Sequence, residues 1–128
     1  MKKDFDGWNQ DKKQIQERED ILFYKQREVR WCRLGVNVGF EQDGTGTAYA
    51  RPVLILKGFS KHACLVVPLT TSTKENPYHV SAGKIERKEA FAIISQIKCI
   101  DTRRLDQRLG WVEKPNFKKI QKAIKDML

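Results

Sequence analysis

Hydrophobic and polar positions divide the chain into three stretches of different rhythm. From Glu28 onward, Val29, Trp31 and Arg33 alternate with Arg30, Cys32 and Leu34 in an aromatic and β-branched context, which predicts a strand over 28–34. Pro52-Val53-Leu54-Ile55-Leu56 is an unbroken apolar run and predicts a central strand covered on both faces. A second run of this kind covers 63–69, after a turn at 58–61, and Pro68 is expected to end its regular pairing. Tyr78-His79-Val80 predicts a short strand. Residues 90–94 predict another, which 96–100 continues across a bend, and 101–105 predicts a single helical turn. The last segment changes period. Phe117, Ile120, Ile124 and Met127 recur at helical steps, Pro115 suits a first turn, and Lys118, Lys119, Lys122 and Lys125 take the opposite face.

Four or five short strands closed by one helix predict an all-β core in a small barrel. A parallel βαβ sheet is excluded, because no helix of crossover length lies between the strands. Ahead of this body, 1–26 reads as a polar, partly helical extension. Phe5, Trp8 and Ile15 fall on one stripe, and a helix is expected around 9–20. The barrel domain is assigned to 27–128. Between the first two strands, 35–50 carries four glycines and predicts a long loop. Long loops in compact domains often carry function.

Length and composition refine this picture. One domain is expected from 128 residues, and 40% hydrophobic content with 32% charge excludes a disordered chain. The net charge of +9 is not spread evenly: residues 1–28 hold seven basic and seven acidic side chains, which leaves 18 basic against 9 acidic for 29–128. That excess favours a polyanionic partner, nucleic acid first. Cys32, Cys64 and Cys99 form no C-x-x-C pair, and with His62 and His79 they give no zinc-ligand spacing. All three are expected as buried thiols in a reducing compartment. No apolar run approaches a membrane span and the first residues lack a leader-type apolar core, so a cytoplasmic protein is expected. No P-loop, G-x-S-x-G, H-E-x-x-H or G-x-G-x-x-G occurs, so no general catalytic motif names a reaction.

Four ordered stretches go further. Glu28-Val29-Arg30-Trp31-Cys32 is preceded by Arg27. Gly39-Phe40-Glu41-Gln42 is followed by Arg51-Pro52-Val53-Leu54-Ile55. Then come Val67-Pro68-Leu69-Thr70-Thr71-Ser72 and Ser95-Gln96-Ile97-Lys98-Cys99-Ile100-Asp101-Thr102-Arg103-Arg104-Leu105. Together they resemble the MazF/PemK family of toxin–antitoxin ribonucleases, over 27–128. The family patterns are G-[DE]-[IV]-W-W, G-x-E-Q…R-P-V, V-P-[LI]-T-[TS] and [DE]-Q-[IV]-R-[ST]-I-D-x-x-R-L. Here Arg27 replaces the opening glycine and Ser95 replaces an acid that can serve as general base. The loop before Arg51 is several residues longer, and Lys98 stands in for a strand arginine.

The resemblance implies an SH3-like small barrel of the MazF/PemK/CcdB type, with a C-terminal α-helix. It implies sequence-specific cutting of single-stranded RNA without metal or other cofactor, by 2′-OH attack that leaves a 2′,3′-cyclic phosphate and a 5′-OH. On this reading Arg51, Thr70 and Glu41 are catalytic, with Glu41 the expected general base and His79 the alternative, while Gln42, Thr71, Lys98, Ser95 and Gln96 contact RNA. The implied partners are a second copy of the chain and an antitoxin with an acidic, disordered tail. From the residues alone each role has an ordinary counterpart: a surface ion pair for Arg51, a backbone-bonding turn for Thr70, a solvated carboxylate for Glu41. Two other functions fit the same residues. One is a non-catalytic RNA- or DNA-binding regulator, which Ser95 favours. The other is a protein-targeting toxin of the gyrase-poison type.

Overall fold

The computed structural model describes residues 23–33 and 50–128. The expected N-terminal helix and most of the glycine-rich loop, with Glu41 and Gln42, lie outside the described residues. Among the described residues there are seven strands: β1 (Glu28–Arg33), β2 (Ala50–Gly58), β3 (Ala63–Thr70), β4 (His79–Ile85), β5 (Lys88–Ile93), β6 (Lys98–Asp101) and β7 (Leu105–Trp111). One helix follows, α1 (Lys114–Met127). The strand order is β4-β5-β3-β2-β1-β7, with β6 also paired to β3, and every pairing is antiparallel. The sheet curls so far that Ile85 of β4 and Leu109 of β7, near opposite ends of this order, line one cavity. This curled half-barrel with its C-terminal helix matches the small all-β barrel expected.

β2 sits at the centre because its apolar run serves two cores. Leu54 and Leu56 enter a larger cluster with Val29, Val67 and Leu69; Val53 and Ile55 enter a smaller one with Tyr24, Cys32, Cys64 and Val66. Alternation along a strand sends neighbours to opposite faces, so a strand apolar throughout must be covered twice. α1 closes the larger cluster with Phe117 and Ile120. Full burial of such side chains contributes about 1.5–3 kcal/mol each.

Several expectations need correction. Seven strands replace four or five. The short strand at 78–80 is a full strand, His79–Ile85, and joins β5 through Glu86 and Arg87. Both turn residues have left-handed φ, 49° and 71°. Such two-residue turns usually announce themselves by Asn or Gly, which are absent here. β7 was invisible because Leu105-Asp106-Gln107-Arg108 lies at the sheet margin and carries little apolar signal. Pro68 does not end pairing: it stands opposite Val53, and β3 runs on to Thr70. It falls where the far side of β3 changes partner, from β6 at Val66 to β5 at Leu69, a place where a missing amide hydrogen is tolerated. The bend between β5 and β6 is a 3-10 turn, Ile94–Gln96, and a second 3-10 turn, Thr102–Arg104, fills the predicted single helical turn. Cys32 and Cys64 are buried, whereas Cys99 is exposed, because on β6 it alternates with buried Ile100.

Arg27 stands at the entrance to β1. Its φ of 76° is left-handed, the region glycine enters without strain. A glycine in the family pattern therefore matches the backbone here. In this chain the arginine holds the same conformation through its own contacts. Its N–H donates to Ile55 O at 2.9 Å, and its guanidinium donates to Val112 O at 3.2 Å.

Candidate active site at the β2–β3 rim

The register of β2 against β3 pairs Val53 with Pro68 and Leu54 with Val67. Two residues further toward the open end, the same register sets Arg51 level with Thr70. β1 supports Arg51 from the other side, through Cys32 opposite Arg51 and Trp31 opposite Pro52. β5 supports Thr70 through Phe91. Both residues thus leave the two most buried strands beyond the last β2–β3 pair, and each backbone keeps a partner on its outer side, Arg51 on β1 and Thr70 on β5.

They open onto a cavity of about 530 Å³. Its polar rim is Arg51, Thr70, Thr71, Glu86 and Lys88, and its inner wall is Trp31, Pro52, Leu69, Ile85, Ala90 and Leu109. Arg51 is half-buried, and loss of water lowers the pKa of its guanidinium below the usual arginine value. A partly desolvated cation in a cavity wall favours an anionic ligand, and guanidinium matches phosphate oxygens with a planar fork of donors. Thr70 Oγ1 accepts a hydrogen bond from the Ser72 backbone N–H at 3.1 Å. This is the turn role its sequence context allows. Because that bond uses a lone pair, the hydroxyl hydrogen remains for donation to a ligand.

Glu86 and Lys88 were not singled out by the sequence. The strained β4–β5 turn brings them to the rim, with Lys88 paired to Ile85 across the hairpin. Left-handed non-glycine residues cost roughly 1–3 kcal/mol each and concentrate at functional sites. No local sequence signal marks this turn; only the fold places it.

The remaining predicted residues divide. Thr71 lines the cavity with Arg51 and Thr70. Ser95 is exposed and Gln96 half-buried in the 3-10 turn, and Lys98 pairs with Val66 on β6. None of these three lines the cavity. His79 lines a second cavity of about 570 Å³ with Thr73, Lys74, Asn76 and Phe91, apart from Arg51.

Comparison with known proteins gives the family and agrees with the fold. The sequence profile described as PemK-like, MazF-like toxin of type II toxin–antitoxin system matches residues 25–128. No curated protein sequence gives a significant match. Among solved structures, MazF from Deinococcus radiodurans superposes with a TM-score of 0.68 at 16% identity, covering 81% of this chain and 94% of that one. An endoribonuclease in complex with its cognate antitoxin, from a Mycobacterial species, gives 0.62 at 21% identity, covering 80% and 92%. The Mycobacterium tuberculosis toxin MazF-mt6 gives 0.59 at 19%, covering 78% and 94%.

Proposed function

The chain belongs to the PemK-like, MazF-like toxin family of type II toxin–antitoxin systems, and from that premise we propose that it is a sequence-specific endoribonuclease acting on single-stranded RNA without a metal. The observation that carries this reading is the meeting of Arg51, Thr70 and Thr71 at one cavity rim. Cleavage forms a bond from the ribose 2′ oxygen to phosphorus and breaks the bond to the 5′ oxygen. Negative charge grows on the phosphoryl oxygens, where a fixed guanidinium and a hydroxyl donor stabilise it most. Arg51 supplies the first and Thr70 the second. Glu41, which precedes β2 in the sequence, takes the 2′-OH proton, and the departing 5′ oxygen takes one from water. Gln42 and Thr71 hold the strand near the scissile phosphate, with Ser95, Gln96 and Lys98 as outlying contacts.

The toxin acts in the cytoplasm as a homodimer, with RNA lying across the shared face. Its antitoxin carries an acidic, disordered tail that folds onto the same surface, and the +9 charge suits both polyanions. The test is chemical. Purified protein in EDTA should convert single-stranded RNA to fragments bearing 2′,3′-cyclic phosphate and 5′-OH ends. An RNA panel left intact at micromolar protein, but recovered bound, would assign the chain to regulation by binding instead.

A further inference from the structure

Phosphoryl transfer accounts for the rim of the cavity but not for its inner wall. Arg51 and Thr70 suffice to hold a phosphate. A phosphate gains nothing from Trp31, Pro52, Leu69 and Ile85, which line the same space. At about 530 Å³ the cavity falls in the range of small-ligand sites and is larger than a phosphate needs. An apolar, aromatic-walled space beside a phosphate site suits the flat ring attached to that phosphate. Sequence-specific readers of single-stranded RNA hold unstacked bases in this way, against an aromatic side chain and by hydrogen bonds to the Watson–Crick edge.

The rim also carries a specific pattern of charge. Glu86 offers two carboxylate acceptors and Lys88 an ammonium donor, set at one end of the β4–β5 hairpin by the strained turn. We propose that this cavity is a nucleobase site that selects guanine next to the scissile phosphate, read by Glu86 and Lys88 over a Trp31-walled floor. Guanine presents two adjacent donors, N1–H and N2–H, beside one acceptor, O6. The carboxylate takes both donors and the ammonium meets O6. Cytosine and adenine offer one amino donor on that edge. Uracil offers one imino donor flanked by two carbonyl acceptors, which face the carboxylate unfavourably. Glu86 is thus a specificity residue, and its role rests on the nuclease reading only for the position of the phosphate.

The experiment has two arms. In the first, a randomised single-stranded RNA is cut and the bases on both sides of each break are read. In the second, the affinities of the trinucleotides ApGpA and ApUpA are measured directly, without reliance on cleavage. Wild type should enrich guanine at one flanking position and bind ApGpA roughly ten- to a hundredfold more tightly, the discrimination expected of a bidentate base contact. Glu86→Gln replaces one acceptor with a donor, so it should remove the guanine preference in both arms while leaving the fold intact, and Glu86→Asp should restore part of it. Equal use of all four bases, or a preference unchanged in Glu86→Gln, overturns the base site and leaves the nuclease reading standing. Guanine-selective binding with no cutting overturns the nuclease reading and leaves the base site standing.

Discussion

At one end β3 is sealed, and at the other it opens. Over 63–66 it lies between β2 and β6, with Cys64 and Val66 fully buried. At Thr70 it reaches the cavity shared with Arg51. Residues at both ends were expected to touch RNA: Thr70 and Thr71 at the open end, Lys98, Ser95 and Gln96 around the sealed one. The strand shows why residue type alone does not separate them. Lys98 is tied into the ladder opposite Val66 and lines no part of the cavity, whereas Thr70, paired with Phe91 on β5, stands beyond the last β2–β3 pair and lines it. The sealed end is paired on both sides and the open end on one, which leaves the open end's side chains room for a ligand. The proposed function assigns chemistry to the open end and stability to the sealed one, and variants can divide the two.

Thr70→Val at the open end keeps shape and removes the hydroxyl donor. Cleavage should fall by about 10²-fold, the loss typical of one donor to a developing oxyanion, with little change in melting temperature. Ile100→Ala at the sealed end should do the reverse. It leaves a hole beside Cys64, should cost about 2–5 kcal/mol by denaturant unfolding, and should leave the cleavage rate per folded molecule intact.

Alkaline pH probes the sealed end without mutation. Burial pushes the Cys64 thiol up to about 12 and the Cys32 thiol up to about 11, from an ordinary value of 9.0. The unfolded chain therefore loses these protons first, so stability should hold below pH 9 and decline as pH rises from there toward the folded values. Replacing both thiols by alanine should flatten that decline in a pH series of unfolding curves. The smallest effect belongs to Lys98→Ala, which should change cleavage by less than about fivefold, as for a single surface charge. A loss comparable to that of Thr70→Val would move the active surface to β6 and erase the distinction.

Much of this was readable from residue order. The two apolar runs that became β2 and β3 declared themselves because a strand covered on both faces has no polar positions to confuse the pattern. The helix did so through Phe117, Ile120, Ile124 and Met127. Arg51, Thr70 and Thr71 were found through their place in an ordered set of motifs, and the fold supplied the reason they meet, a register of β2 against β3. What stayed hidden was non-local or unconventional. Glu86 and Arg87 make a hairpin turn from residues that seldom adopt left-handed φ, so no turn was expected there and the rim lost two of its charges. β7 is a margin strand whose polar residues need no apolar partner. Cys99 looked buried from its neighbours, although one step of alternation turns it outward.

In the proposed mechanism, cleavage at the open end of β3 depends most on Arg51. The most direct measurement is the single-turnover cleavage rate of one single-stranded RNA in EDTA, with saturating protein, for wild type and Arg51→Ala. Loss of about 10²–10³-fold with RNA still bound is the expected result. A variant that cuts within about threefold of wild type, where a tenfold loss is only about 1.4 kcal/mol of transition-state stabilisation, would contradict the account.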